Sequence, residues 1–212
     1  MYIAIEGVIG VGKTTLARLL KPKFESNLLL EVFEENPFLS DFYSDRSRYA
    51  FQTQMFFLLS RYHQQRKGVP QMLSEKDYLV SDYTFEKDAL FAKINLCGDE
   101  LEMYYKVQEA LREKIIQPDL IVYLKASTET LMQRIAFRDR PYERTMDIKY
   151  IDELNHTYDE YFTTSQKKGA SILTIDTNRI DIIHNQEDLQ FIEDKIKQTL
   201  QLPPYQPELP IS

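Results

Sequence analysis

The sequence has few of the features that mark secreted, membrane or zinc-binding proteins. Cys97 is the only cysteine among 212 residues, which excludes an internal disulfide and a cysteine-rich zinc site. No apolar run approaches the ~20 residues that a membrane-spanning helix needs. The first residues also lack the basic and apolar regions of a signal peptide. We therefore expect a cytoplasmic protein with no membrane partner.

Positive charge is also in short supply. The 26 lysines and arginines are outnumbered by 33 aspartates and glutamates, so the formal net charge is −7. This balance argues against a general nucleic-acid-binding surface, and we expect no nucleic-acid partner. Hydrophobic residues at 43% and charged residues at 28% are ordinary for a globular domain and exclude a disordered chain.

Glycine is rare and unevenly placed. Of the six glycines, three lie between residues 7 and 12. Residues 2–5 before them form a short apolar run typical of a buried strand, whereas Leu16, Leu19 and Leu20 after them have the spacing of a helix face. The chain is therefore predicted to open with a strand, a glycine loop and a helix.

Apolar runs and helical stretches alternate along the rest of the chain. We predict further strands at 28–33, 78–81, 120–124 and 171–175. We predict further helices at 48–67, 86–95, 99–116, 128–137, 147–167 and 187–200. This alternation indicates an α/β fold, with a five-stranded parallel sheet in a three-layer α/β/α arrangement. We expect one domain over residues 1–200 and an extended tail over 201–212, which holds four of the nine prolines.

The glycine loop has the pattern of a phosphate-binding P-loop. The pattern is Gly7-Val8-Ile9-Gly10-Val11-Gly12-Lys13-Thr14, and it lies between a predicted strand and a predicted helix. Glycines let successive backbone N–H groups turn inward, and the helix N-terminus adds partial positive charge. Lys13 would bridge the β- and γ-phosphates, and the Thr14 hydroxyl would ligate Mg²⁺. The loop predicts nucleotide binding but leaves a GTPase switch, an ATPase motor and a small-molecule kinase open.

Two carboxylates are predicted at the ends of neighbouring strands. Glu31 ends the second predicted strand and Asp82 follows the third. The carboxyl ends of parallel strands carry the ligand site in open α/β sheets, so both acids face the predicted phosphates. An acid there can hold Mg²⁺ or accept a proton from an attacking hydroxyl.

Arginines crowd into one short segment after the fourth predicted strand. They are Arg134, Arg138, Arg140 and Arg144. Phosphoryl transfer spreads negative charge over the phosphate oxygens, and guanidinium groups on a closing lid can neutralise it. An arginine-bearing lid favours a small-molecule kinase over a GTPase, which usually awaits an arginine from a partner.

These ordered motifs resemble the bacterial deoxynucleoside kinase family, in particular its deoxyadenosine/deoxyguanosine kinase branch. The likeness runs from Tyr2 to about Leu200. It is carried by the P-loop with Thr15, by residues 31–39 and 51–61, by Asp82-Tyr83-Thr84 and by residues 138–143. It implies ATP and Mg²⁺ as cofactors, a deoxynucleoside as the acceptor, and a homodimer.

The resemblance also implies a role for each matched residue. Glu31 corresponds to the general base for the nucleoside 5′-hydroxyl, while Lys13, Arg138 and Arg140 assist catalysis. The implied ATP-binding residues are Gly7, Val8, Ile9, Gly10, Val11, Gly12, Lys13, Thr14, Thr15, Arg134 and Arg138, with Thr14 and Asp82 as metal ligands. The implied substrate-binding residues are Glu31, Tyr43, Gln54, Arg61, Asp82, Tyr83, Asp88, Phe91 and Glu143.

Within the acceptor site, each of these residues has an expected contact. Gln54 and Arg61 correspond to readers of the base edge, and Asp88 to the acid that pairs with that arginine. Phe91 would pack on the base plane, whereas Tyr43 and Glu143 would hold the sugar 3′-hydroxyl. Gln54 and Arg61 are seven residues apart, about 10 Å along one helix face, so both can line one pocket.

One position departs from the family pattern. Many relatives carry an acid, an arginine and a Ser or Thr where this chain has Asp82-Tyr83-Thr84. The resemblance to purine-specific members that share the Asp-Tyr form favours deoxyadenosine or deoxyguanosine, although Gln54 and Asp88 are also compatible with cytosine. A nucleoside-monophosphate kinase resembling thymidylate kinase and a nucleotide-dependent regulatory switch are the alternative functions.

Overall fold

A computed structural model describes residues 1–32, 36–144, 146–167 and 171–203. Residue 33 of the predicted second strand and residues 33–35 of the 31–39 motif lie outside the described residues. So do residues 204–212, which make up most of the predicted tail.

Five parallel strands form a single sheet among the described residues. They are β1 (Tyr2–Gly7), β2 (Asn27–Leu29), β3 (Leu79–Ser81), β4 (Leu120–Lys125) and β5 (Ile172–Asp176). Their order across the sheet is β2-β3-β1-β4-β5. Ile3 pairs with Val80 on one side of β1, and Ile5 pairs with Val122 on the other. The predicted α/β fold with five parallel strands is confirmed.

Helices connect successive strands and cover the sheet. They are α1 (Lys13–Lys23), α2 (Leu39–Ser44), α3 (Arg46–Glu75), α4 (Lys87–Asn95), α5 (Gly98–Arg112), α6 (Thr128–Arg138), α7 (Ile148–Lys167) and α8 (Gln186–Thr199). A short 3₁₀ turn spans Pro141–Glu143. Strand β1 is buried at every position, because the helices cover the sheet and its apolar side chains pack against them rather than facing water.

Several boundaries differ from the sequence predictions, and at two of them the structure shows a tertiary cause. Strand β2 ends at Leu29, and the N–H of Glu31 donates to Asp82 Oδ1 at 2.8 Å instead of continuing the ladder. Helix α3 continues through Pro70 to Glu75. Val69 is fully buried in a cluster with Leu29, so packing against the sheet edge outweighs the backbone hydrogen bond that proline cannot make.

A buried glutamate ties together the elements that carry the site. Glu6 accepts hydrogen bonds from the N–H of Gly7 at 3.0 Å and from the N–H of Thr84 at 2.8 Å. The Tyr158 hydroxyl on α7 donates to the same carboxylate at 3.3 Å. The end of β1 is thereby fixed to the segment after β3, because a fully buried carboxylate must have its hydrogen bonds satisfied.

Within the parts of the chain that the structure describes, no helix combines the length and the apolar character that a bilayer crossing requires.

Candidate active site

The predicted P-loop connects β1 to α1 through backbone that favours glycine. Gly10 has a φ of 86°, in the left-handed region, and a Cβ added there would lie 2.8 Å from Ile135 Cγ1. At Gly7 an added Cβ would lie 2.5 Å from the backbone oxygen of Leu124. The loop therefore packs closely against β4 and α6, and its backbone amides are brought to the N-terminus of α1, where an anion is stabilised.

Lys13 lies over this loop. Its ammonium group donates to the backbone oxygen of Gly7 at 2.7 Å and to that of Val8 at 3.1 Å. Burial, and then the nearby charge of Lys87, lowers the pKa of Lys13 to about 8. A cation held in this way by neutral carbonyls is available to phosphate oxygens, so the loop fits a nucleotide.

Thr14 and Asp82 supply the oxygen atoms expected of a Mg²⁺ site. The Thr14 hydroxyl donates to Asp82 Oδ2 at 2.5 Å. In the described part of the chain no group of three or more His, Cys, Asp or Glu side chains could hold a metal by itself. Magnesium is commonly bound by one or two protein oxygens together with substrate phosphates, so this sparse donor set suits it.

The P-loop, the segment after β2 and helix α3 enclose a cavity of ≈ 300 Å³. Most of the predicted site residues line it. They are Ile9, Gly10, Lys13, Thr14, Glu31, Tyr43, Gln54, Arg61, Asp82, Asp88, Phe91, Arg138, Arg140 and Glu143. The fold thus brings the predicted phosphate site and the predicted acceptor site into one continuous space.

Glu31 lies between two cations at the centre of this cavity. Arg61 from α3 pairs with its Oε1, and Lys87 from α4 donates to its Oε2 at 2.5 Å. Burial by itself would raise the pKa of Glu31, but the positive charges of Arg61 and Lys87 outweigh it and hold that pKa well below its ordinary value. Glu31 is therefore ionised, as a proton acceptor must be.

Arg61 is shared between two acids. Besides Glu31 it pairs with Asp88, whose side chain is only 1% exposed. The ring of Phe57 lies 4.7 Å beneath the guanidinium carbon. The predicted Arg61–Asp88 pair is thus present, and both residues line the cavity.

Gln54 provides an unused polar group in the lining of the same cavity. Its side chain is buried, and its amide oxygen has no hydrogen-bond partner among the described residues. The hydroxyl of the neighbouring Thr53 is in the same condition. A buried polar atom without a partner is costly, so these atoms are suited to hydrogen bonds from a ligand.

Two of the predicted lid arginines, Arg138 and Arg140, are gathered around Glu143. Arg138 makes a two-pronged contact, with its Nη2 2.6 Å from Oε1 and 2.7 Å from Oε2 of that carboxylate. Arg140 lies 3.6 Å from the same group. Tyr43 stacks on Tyr142, with ring centroids 5.8 Å apart. Residues predicted for the sugar and residues predicted for the phosphates therefore meet at one edge of the cavity.

Seven predicted site residues do not line the cavity: Gly7, Val8, Val11, Gly12 and Thr15 belong to the P-loop and the first turn of α1, and Tyr83 and Arg134 lie elsewhere. Tyr83 is fully buried in a small core cluster, and its hydroxyl donates to Gln64 at 2.5 Å, so its side chain does not line the cavity. Its side chain points away because alternate residues of an extended segment face opposite sides, and Asp82 faces the cavity. Arg134 lies behind the P-loop, where it donates to Thr177 Oγ1 at 2.9 Å and to the Val11 oxygen at 3.3 Å.

Some lining residues were not predicted from the sequence. They are Arg18, Leu30, Leu39, Phe42, Thr53, Phe57, Lys87 and Tyr142. Of these, Lys87 and Thr53 could have been suspected, since each directly precedes a predicted base-site residue. Neither residue type by itself distinguishes a site position from an ordinary helix position, although Thr53 lies within the 51–61 motif.

Comparisons with known proteins agree with this geometry. The sequence profile described as "Deoxynucleoside kinase" matches residues 3–201. A Bacillus subtilis protein named deoxyguanosine kinase is 35% identical over 201 residues, covering 94% of this chain and 97% of that protein. A Dictyostelium discoideum protein named deoxyadenosine kinase is 35% identical over 165 residues, covering 76% of this chain and 66% of that protein.

Solved structures give the same picture for the fold. Deoxyadenosine kinase from M. mycoides with dCMP and dCDP bound has a TM-score of 0.79 at 25% identity, covering 93% of this chain and 99% of that one. The same enzyme with dATP bound also has a TM-score of 0.79, at 24% identity, and the coverage is again 93% and 99%.

The buried polar groups predict opposite stability effects for two neighbouring changes. Arg61→Met should lower the free energy of unfolding by about 3 kcal/mol, because Asp88 would stay buried without its cation. Gln54→Leu should leave it unchanged or raise it by up to about 1 kcal/mol, because an amide oxygen without a partner is removed. Urea denaturation measures both, and a large loss of stability in Gln54→Leu would mean that the amide is structural.

Proposed function

Because the chain belongs to the deoxynucleoside kinase family, we propose that it transfers the γ-phosphoryl group of ATP, with Mg²⁺, to the 5′-hydroxyl of purine deoxynucleosides. The family membership bears out the predicted enzyme class: the chain is a kinase that phosphorylates a nucleoside hydroxyl. Deoxyadenosine and deoxyguanosine are the proposed acceptors, and nucleotide salvage is the proposed role.

The observation that carries the proposal is the continuity of one cavity. Glu31 and the P-loop residue Lys13 both line it, together with Gln54. A nucleoside with its base near Gln54 would present its 5′-oxygen toward Glu31 and the P-loop. In-line phosphoryl transfer requires the attacking 5′-hydroxyl to lie next to both its general base and the phosphate.

The residues of this cavity divide the chemistry among them. Glu31 takes the proton from the 5′-hydroxyl, since each carboxylate oxygen has a second acceptor position besides the one used by its cation. Lys13, Arg138 and Arg140 stabilise the negative charge that develops on the transferred group. Bound Mg²⁺ supplies further positive charge at the phosphates, and Thr14 and Asp82 would hold it. Closure of the arginine-bearing segment excludes water.

Acceptor recognition follows from the same lining residues. Tyr43 and Glu143 are proposed to hold the sugar 3′-hydroxyl. Gln54 and the Arg61–Asp88 pair are proposed to bind the base edge, with Phe91 against its plane. The orphaned amide oxygen of Gln54 supports this role, because a base amino group would satisfy it.

The purine preference is supported by the relatives. The B. subtilis and D. discoideum proteins named deoxyguanosine kinase and deoxyadenosine kinase are both 35% identical to the chain. A B. subtilis protein named deoxyadenosine/deoxycytidine kinase is 27% identical over 202 residues, so cytosine is the competing base.

A panel of acceptors with radiolabelled ATP tests the function directly. We expect label in the 5′-monophosphates of deoxyguanosine or deoxyadenosine at an efficiency at least about tenfold above deoxycytidine, because a base site built to hydrogen-bond one edge rejects another. Label transferred only to monophosphates would instead indicate a nucleoside-monophosphate kinase. Slow ATP hydrolysis with no acceptor consumed would indicate a regulatory switch.

Glu31→Gln tests whether Glu31 is the general base of that reaction. The amide has nearly the same shape but cannot accept the proton, so kcat should fall about 10²–10⁴-fold while nucleoside still binds. Steady-state kinetics and calorimetric titration with deoxyguanosine measure the two effects. Glu109→Gln on the exposed face of α5 is the matched control and should leave kcat unchanged. Near-full turnover in Glu31→Gln would overturn the assignment.

We also propose a homodimer in the cytoplasm. Leu59 on α3 and Met103 on α5 are 42% and 52% exposed, and large exposed apolar side chains suit a subunit interface. Light scattering should give twice the chain mass of 25.1 kDa, and Leu59→Glu should shift the mass toward one chain. A monomer mass for the unmodified protein would contradict the dimer.

The exposed free thiol of Cys97 fits a reducing compartment such as the cytoplasm. Cell fractionation would check this location.

A further inference from the structure

Lys87 holds a position that the sequence motifs do not explain. It is the first residue of α4, and its side chain is only 8% exposed. Lysine is rarely buried unless it is paired. Its ammonium group lies 2.5 Å from Glu31 Oε2, and the residue lines the same cavity as the P-loop residue Lys13.

The segment from β3 to α4 holds Glu31 at two points. Asp82, just after β3, accepts the backbone N–H of Glu31 at 2.8 Å. Lys87, five residues later, donates to the carboxylate of the same residue. One short segment therefore fixes both the backbone and the side chain of Glu31, which lies past the end of β2 and has no ladder bond of its own to hold it.

Arg61 by itself cannot balance the negative charge of the two carboxylates that it contacts. Arg61 pairs with Glu31 and also with Asp88, so one guanidinium serves two carboxylates. Among the described residues, the ion pairs to Glu31 come from Arg61 and Lys87. Lys87 balances the cluster at two acids and two cations, and without it Arg61 would be drawn between the two acids.

The residue next to Asp82 does not supply a further cation. Tyr83 stands there, and its fully buried ring lies in the core cluster rather than at the cavity. The positive charge that faces Glu31 from the β3–α4 segment is therefore that of Lys87.

We propose that Lys87 is a positioning residue for phosphoryl transfer, which holds the Glu31 carboxylate at the angle where its free acceptor site faces the nucleoside 5′-hydroxyl. This inference rests on the proposed role of Glu31 as the base. Lys87 acts through Glu31, so its contribution vanishes when Glu31 can no longer accept a proton.

Lys87→Met removes the charge and keeps an unbranched side chain. We expect kcat to fall about 10- to 100-fold, because misplacing a reacting group by about 1 Å has an effect of that size. The KM for deoxyguanosine should change less than about threefold, since the base site is untouched. Lys87→Arg, which keeps a cation at the end of the side chain, should recover most of kcat. Lys93→Met is the matched control on the same helix, since Lys93 is half-exposed and pairs with Glu160 at the surface, and it should have no effect.

A double-mutant cycle with Glu31→Gln separates positioning from general structural support. In the Glu31→Gln background, adding Lys87→Met should change kcat by less than about twofold, because the group that Lys87 orients no longer acts. Calorimetric binding of deoxyguanosine without ATP and the circular dichroism spectrum report, independently of activity, whether each variant is folded and competent to bind.

The outcomes distinguish the two proposals. If Glu31→Gln keeps full kcat, the proposed base is wrong and the role of Lys87 is overturned with it. If Glu31→Gln loses kcat but Lys87→Met keeps it, the base stands and only the inference on Lys87 fails. If Lys87→Met lowers kcat equally in both backgrounds, or Lys87→Arg recovers nothing, Lys87 supports the structure or acts independently of Glu31, and the inference is again overturned.

Discussion

The pairing of one largely buried carboxylate with two cations is the interaction on which this site depends. Glu31 is ionised because Arg61 and Lys87 compensate for its burial. An unpaired buried charge would cost several kcal/mol, so the helices that carry these cations cannot move independently of the residue that they hold. The close approach of α3 and α4 at the cavity is therefore an electrostatic requirement as well as a packing arrangement.

Asp82 connects this charge cluster to the nucleotide side of the cavity. One of its carboxylate oxygens accepts the Thr14 hydroxyl, and the other accepts the Glu31 N–H. The residue proposed to share a metal ion with the P-loop therefore also sets the place of the proposed base. Glu6 reinforces the same link, because its carboxylate accepts hydrogen bonds both from the start of the P-loop and from Thr84 after β3.

Local sequence patterns were sufficient for the sheet and the P-loop, whereas the residues expected around the nucleoside came from the family resemblance. Buried parallel strands are apolar at nearly every position, so β1 and β4 were readable from the chain alone. Glycine spacing marked the phosphate site because few other residues adopt that backbone. Where the pattern failed, a distant contact was responsible: α3 passes the predicted boundary at 67 because Val69 is buried against Leu29.

The amino-acid sequence by itself determined which chemical groups are present, their order along the chain and the strand after which each one comes. Only the tertiary structure decided which of them meet. It directed the side chain of Tyr83 toward the core and that of Asp82 toward the cavity, although the two residues are adjacent in sequence. It also brought Lys87 to Glu31 across 56 positions. The physical reason is that side-chain direction and long-range ion pairing depend on how strands and helices pack, which no short stretch of sequence contains.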